Sequence, residues 1–229
     1  MIDIHGEKII DLTHTMEHDI PGMPGFTNPT MTWLPGKTRG EGCLFNAEEW
    51  TVCPHTGTHM DAPWHFFEDG KTIEELDPTC LLGSAVVIRY KGVVDDEPFT
   101  VEATEAYLKS QGETIHPGDA VLLQAGHDKK WGIGEAGDGF TRDGWPYISP
   151  ELAQYFVDKK VRFVGLEAMN VDSLNAPDCP SHKILLGNEV LIVENLKNLD
   201  QLDKRCQILA LPLKLKDGTG SNIRILAVE

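Results

Sequence analysis

Seven runs along the chain are dense in β-branched and other apolar residues. They are KIIDLTH (8–14), SAVVIRY (84–90), AVLLQAG (120–126), RFVGLE (162–167), EVLIVENL (189–196), QILALPLKL (207–215) and NIRILAV (222–228). Short apolar runs bounded by polar or turn residues predict buried strands. Two other stretches carry helical signals. In residues 100–112, Thr100 is placed to cap the first turn and Gly112 to stop the last. In residues 149–160, Ser149 sits at the N-cap and Pro150 at the first helical position. Leu152, Tyr155 and Phe156 share one face there, and two lysines sit in the last turn. Strands outnumber helices, so the fold class expected is α/β, a single domain over 1–229 with a substantial sheet.

Between these elements lie two long stretches rich in glycine or proline, 20–43 and 126–147. The first carries Phe26 and Trp33, the second Trp131, Phe140 and Trp145. Loops of this length inside a domain are usually binding loops or lids, and tryptophans suit a solvated coil poorly. The second contains GIGEAG, which matches the glycine pattern of dinucleotide sites. The residues before it do not read as a strand, nor those after it as a helix, so a nucleotide fold is rejected.

Composition narrows the function. Apolar residues make up 41% and charged residues 24%, as in an ordinary globular chain. The formal net charge of -16 would repel a phosphate backbone, and Lys129-Lys130 is the nearest thing to a basic patch. No nucleic-acid partner is expected. No apolar run is long enough to span a membrane and no export signal is visible, so no membrane partner and a cytoplasmic home are expected. The five cysteines, Cys43, Cys53, Cys80, Cys179 and Cys206, are scattered and odd in number. They suggest buried free thiols.

The chemistry concentrates in PHTGTHMDAPWHF, residues 54–66. His55 and His59 are four apart, as in helical zinc motifs, but Gly57, the flanking prolines and two β-branched threonines disfavour a helix. In an extended chain His55, His59, Asp61 and His65 all fall on one face. His59 and Asp61 are then about 7 Å apart along the strand, whereas His55 and His59 would lie about 13 Å apart. Metal–ligand bonds are about 2 Å long, so the chain must bend, and Gly57 is where it bends most easily. Two imidazoles and a carboxylate form a hydrolytic donor set with positions left for water. The plainer alternative is a polar loop. Three of the nine histidines within eleven positions, beside an aspartate, favour the metal site. Trp64 and Phe66 flank the ligands, and Trp33 or Trp131 could close over a planar substrate.

The same residues, HTGTHMDAPWHF, resemble the signature H-x-G-T-H-x-D-x-P-x-H-F of the cyclase family of metal-dependent hydrolases, which includes bacterial kynurenine formamidases and isatin hydrolases. The likeness continues in DLTH (11–14), AVLLQAG, GLEAMNVDS (165–173) and SHKILLGNEVLIVENLKNL (181–199), where a His is followed twelve residues later by a Glu. The resemblance implies a fold of the swivelling β/β/α type and one or two divalent ions, Zn or alternatively Mn. It implies that His55, His59 and Asp61 hold the first ion and that His182 and Glu194 complete a second site. Asp61 and Glu194 would bridge, and His65 would be the acid–base residue. The implied reaction is hydrolysis of an amide in a small-molecule substrate, an N-formyl arylamine such as N-formylkynurenine. The alternatives are a cyclic amide or lactone such as isatin, or a metal-binding protein without turnover. A homodimer or homotetramer is implied as well. Asp11 and Asp172 are candidates for orienting histidines. Two departures fall in regions that face substrate in the family. GMPGFTNP (22–29) stands where the formamidases carry a Trp-Pro-Gly-Asp-like turn, and His127 replaces the usual Trp after Gly126.

Overall fold

Along the strands, alternate residues enter different cores, and this division builds the molecule. The computed structural model describes residues 8–37, 42, 44–176 and 178–229. In β5 (Leu82–Arg89), Val86 and Ile88 join one apolar cluster while Ala85 and Val87 join another. The pattern repeats in β7 (Ala120–Gln124), β9 (Phe163–Leu166) and β10 (Leu191–Glu194). Val121, Leu123, Val164 and Ile192 face one way, and Leu122, Phe163, Leu191 and Val193 the other. A strand buried on both faces reads as a continuous apolar run, which is why these four were legible in the sequence.

β5, β7, β9 and β10 are parallel neighbours, and β11 (Arg205–Pro212) and β12 (Gly220–Val228) add antiparallel strands. β1 (Ile9–Asp11) lies antiparallel on the far end of β12. The short strand β4 (His59–Asp61) pairs with β10 on one side and with the start of β12 on the other. It thereby closes the mixed sheet into a ring, with β1 attached outside the closure. One core fills the interior, where Met60, Val87, Leu122, Val193, Ile208 and Ile225 meet. The other lies between the sheet and the helices α1 (Val101–Gln111), α3 (Pro150–Asp158) and α4 (Pro180–Gly187).

The helix ends follow the sequence signals. Thr100 Oγ1 accepts from the N–H of Ala103, Ser149 Oγ from that of Leu152, and Gly112 takes the left-handed conformation at φ 66°. α3 stops at Asp158, so the two lysines lie beyond its last turn. Helix α4 is not among the predicted elements. The described parts of the two long stretches also hold regular structure. β2 (Thr30–Trp33) forms a hairpin with β3 (Glu48–Thr51). The later stretch holds short 3-10 turns and α2 (Asp138–Thr141), with Phe140 and Trp145 fully buried. It is packed onto the body and does not form a lid, because these two rings anchor it in the helix-side core. The GIGEAG segment runs into a 3-10 turn and the single helical turn of α2, without the preceding strand a nucleotide site requires. One pairing of two dipeptide strands, β6 (Pro98–Phe99) with β8 (Tyr147–Ile148), completes the strands.

The basic pair is neutralised by carboxylates: Lys129 lies 3.0 Å from Asp128 and 3.1 Å from Asp200, and Lys130 contacts Asp95. Of the cysteines, Cys206 is buried as expected, whereas Cys53, Cys80 and Cys179 are only partly buried. Cys43 lies outside the described residues. No helix among the described residues is long and apolar enough to cross a membrane.

Candidate metal centre

The seam between β4 and β10 carries the site. In this antiparallel pair Glu194 stands opposite His59, and Ile192 opposite Asp61. Directly opposed residues share a face, and Ile192 belongs to the helix-side core. His59, Asp61 and Glu194 therefore all project toward the helices, while Met60 between them enters the other core. His182, in the first turn of α4, meets them from above. Gly57 adopts φ 73°, the left-handed bend required to bring His55 back toward the strand. Gly220, opposite Asp61, has no room for a side chain. A Cβ there would lie 2.6 Å from the Met60 carbonyl oxygen and 2.8 Å from His55 Cε1.

The spacings separate hydrogen bonds from something else. His59 Nε2 lies 3.3 Å from Asp61 Oδ1 and 3.4 Å from Glu194 Oε2. His182 Nε2 lies 3.5 Å from Asp61 Oδ2 and 3.6 Å from Glu194 Oε1. These are long for hydrogen bonds. Each distance matches an edge of a tetrahedron whose centre is about 2.0–2.2 Å from each donor, roughly 3.3–3.6 Å, and His59 and His182 approach different oxygens of the same two carboxylates. Asp61 Oδ2 is buried and has no hydrogen-bond partner. The other ring nitrogens are already committed: His59 Nδ1 donates to the Gly57 carbonyl at 2.8 Å, and His182 Nδ1 to Asp172 Oδ2 at 2.7 Å. Each tautomer leaves the Nε2 lone pair aimed into the cluster, the arrangement a ligating histidine needs. Two buried carboxylates converging on imidazoles carry a large desolvation penalty unless a cation or protons neutralise them. A divalent ion fits this donor set.

Groups of donors within 4.8 Å of one another are His55–Asp61–His65, His59–Asp61–Glu194 and Asp172–Cys179–His182. Asp61 is common to the first two. His55 and His59 thus fall in different groups, and His59 goes with Glu194. His55 has both ring nitrogens engaged, Nδ1 with Asp61 Oδ1 at 2.7 Å and Nε2 with Thr219 Oγ1 at 2.8 Å. Ligation by His55 requires it to give up one of these bonds.

All six residues expected to bind metal or transfer protons, namely His55, His59, Asp61, His65, His182 and Glu194, line one cavity of about 200 Å³. Phe66 lines it too, its ring stacked on His182 at 4.7 Å. Trp33, Trp64 and Trp131 are not among its lining residues. Trp33 is exposed on the hairpin, Trp64 lies in the 3-10 turn Pro63–His65, and Trp131 stacks on His14 at 3.9 Å. His127 is buried and its Nε2 donates to the Phe140 carbonyl, so it faces the interior of its own segment. Asp172 orients His182 as anticipated, and Trp145 Nε1 in turn donates to the Asp172 carbonyl at 2.8 Å. Among the described residues Asp11 has no histidine partner, and it pairs with Arg224 at 2.7 Å. The reading of the sequence did not single out Met23, Met169, Asn170 or Cys179, which complete the walls with Phe26. Met169 and Asn170 lie in GLEAMNVDS, which also holds Asp172, and Met23 lies in GMPGFTNP.

Without an ion the cluster holds protons. Burial depresses the His59 imidazole, but Asp61 and Glu194 outweigh it and raise its pKa to about 9. Burial likewise opposes Asp172, Asp61 and Glu194 at His182, which rises to about 10. Burial and the neighbouring Asp61 push Glu194 up to about 8. Burial would raise Asp61, but His59, His182 and His55 hold it well below the usual range. His65 moves the other way. Burial lowers it to about 4 against the pull of Asp61, so it is neutral at pH 7.

These directions fix a pH dependence. The stabilisation from His59 and His182 is complete below their unfolded pKa near 6.5 and is lost as pH rises through about 9 and 10. Glu194 also loses stabilisation on the way up to about 8. Ion-free protein should therefore melt at progressively lower temperature from pH 6.5 to 9. Ion binding strengthens over the same range because its ligands must be deprotonated. The gap in Tm between zinc-loaded and chelator-treated protein should widen with pH. A constant or narrowing gap in thermal unfolding scans would contradict this ligand set.

The model of the family described as "Putative cyclase" matches residues 10–173. A "Kynurenine formamidase" from Bacillus anthracis is 29% identical over 222 residues, with 95% of each chain covered. Among solved structures, isatin hydrolase A from Ralstonia solanacearum superposes with a TM-score of 0.86 at 27% identity. That match covers 97% of this chain and 92% of that one. A structure described as a potential metal-dependent hydrolase with cyclase activity gives a TM-score of 0.74 at 25% identity, with 96% of each chain covered.

Proposed function

The chain belongs to the Cyclase family, and from that membership and the cavity's geometry we propose that it is a metal-dependent amide hydrolase. Its proposed substrate is an N-formyl arylamine, N-formylkynurenine first among them, with a cyclic amide such as isatin as the alternative. Amide hydrolysis agrees with the relatives, which are named as kynurenine formamidases and isatin hydrolases. The observation that carries the reading is the set of four donor spacings around Asp61 and Glu194, together with the unpartnered Asp61 Oδ2.

His59, Asp61 and Glu194 would hold an ion, Zn or Mn, with His182 on the other oxygens of the same two carboxylates and His55 within reach on the Asp61 side. When bound, such an ion supplies Lewis acidity, lowering the pKa of water from 15.7 to about 7 and polarising a carbonyl. The chain's own residues do the rest. His65 sits at the end of a 3-10 turn opened by Pro63, its ring stacked on His55 at 3.9 Å. As a neutral imidazole it takes the proton of the attacking water and returns it to the leaving nitrogen. Asp172 and the Gly57 carbonyl keep His182 and His59 in the tautomers that point Nε2 inward. Phe26, Phe66 and the methionines exclude bulk water and accept a flat ring. The acid–base residue beside the ligands argues against a metal-binding protein without turnover.

We read the chain as a cytoplasmic homodimer or homotetramer. Every residue of strands β2 and β3 is exposed, including Trp33 and Trp50. A two-stranded hairpin is marginal in water on its own, so these rings suit contact with a second copy.

The test is a hydrolysis assay on N-formylkynurenine, isatin and simple lactones with Zn or Mn restored after chelation. Metal-dependent turnover of an amide is expected. Absence of turnover on every substrate, with the metal bound, would overturn the reading.

A further inference from the structure

The cavity walls divide by chemistry. Part of the lining is the ligand cluster, and Met23, Phe26, Phe66, Met169 and Cys179 supply the rest, together with one neutral amide, Asn170, just beyond β9. Its orientation is fixed by its neighbour. The backbone N–H of Asp172 donates to the Asn170 side chain at 2.7 Å, so the atom there must be the oxygen. The –NH2 group is therefore turned away from that backbone bond, and Nδ2 has no hydrogen-bond partner among the described residues. The segment is rigidly tied to the metal centre. The N–H of Val171 donates to Glu194 Oε1 at 2.9 Å, and Asp172 holds His182. Asn170 thus lines the cavity with its Oδ1 engaged and its Nδ2 left without a partner among the described residues, on a segment tied to the ligand cluster.

We infer that Asn170 is a substrate-recognising residue whose Nδ2 donates to a carbonyl that the substrate carries apart from the bond being cut. The substrates proposed above, N-formylkynurenine and isatin, both carry such a carbonyl beside the amide nitrogen on the ring, so Asn170 is assigned as the residue that selects for it. This rests on the amide-hydrolase reading above and narrows it. The ring packs against Phe26 and Phe66, and the sulfur-bearing side chains give polarisable contacts at its edge. A donor in a largely apolar wall rewards a substrate that supplies an acceptor and is left unpaired by one that does not. An ordinary hydrogen bond corresponds to about a tenfold preference.

The test uses two formamides, N-(2-acetylphenyl)formamide and formanilide, and their amine products 2-aminoacetophenone and aniline. In zinc-loaded wild type the ketone-bearing member of each pair is favoured. In Asn170→Ala the kcat/KM ratio should fall about tenfold, mainly through KM, with metal content unchanged. Asn170→Asp keeps the oxygen that accepts from Asp172 but removes the donor, and should lose the ratio as well. Calorimetric binding of the two amines should show the same collapse without any turnover. If the ratio is unchanged in rate and binding, or if neither amine binds, the assignment is overturned. An equal loss for both formamides also overturns it, since that marks a donor to the developing oxyanion. A binding preference that depends on Asn170 in a protein that cleaves neither formamide would uphold the recognition and sink the hydrolase reading.

Discussion

Replacing Asp61 by Asn is expected to strip the centre of its ion and abolish turnover, while leaving the fold intact. Asp61 is 1% exposed and is in contact with His55, His59 and His182 together. The substitution preserves shape but exchanges one anionic oxygen for an –NH2 group that repels a cation. Residues that merely orient ligands typically change metal affinity by about 10–100-fold. A carboxylate shared by two donor groups should exceed that, so kcat/KM should fall by more than about 100-fold. Metal per chain, measured by mass spectrometry after dialysis, should fall in parallel, with far-UV circular dichroism unchanged. An Asp61→Asn protein with full metal and full rate would remove Asp61 from the ligand set.

His65→Ala should separate chemistry from binding. His65 shares a donor group with His55 and Asp61, but in the mechanism it moves protons. Its loss should lower kcat by about 10²–10⁴-fold, the usual range for a general acid–base residue, with KM and metal content little changed. His65→Gln serves as a control for the gap left beside His55, because it fills space without titrating. Added imidazole should restore part of the rate to His65→Ala only. If His65→Ala instead loses the ion, His65 is a ligand and the proton carrier lies elsewhere. If it keeps both ion and rate, the site works without it.

What the sequence disclosed follows from where the information sits. His55, His59, Asp61 and His65 occupy eleven residues, and period-two alternation plus a glycine bend suffices to bring them together. The parallel strands were visible because both faces are buried. The partnership of His59 with Glu194 was not readable from pattern alone, since it depends on the register of β4 against β10 across more than a hundred residues. His182 and Glu194 were reached through family resemblance. Helix α4 escaped because its eight residues run almost directly into β10, although Pro180 at its first position was a usable start signal. The aromatic expectations fared unevenly for a related reason. Phe66 is tied to the motif and reaches the cavity, whereas Trp131 is directed by tertiary packing against His14 and Phe140. Composition cannot tell which way such a ring turns. Ring closure by a three-residue strand is equally invisible to any window long enough to detect periodicity.

Anomalous diffraction at the zinc edge, from crystals of the zinc-loaded protein, probes the centre most directly. A peak about 2.0–2.2 Å from His59 Nε2 and from oxygens of Asp61 and Glu194 is the expected result. Density showing these side chains joined only to one another, or zinc bound elsewhere on the surface, would contradict it.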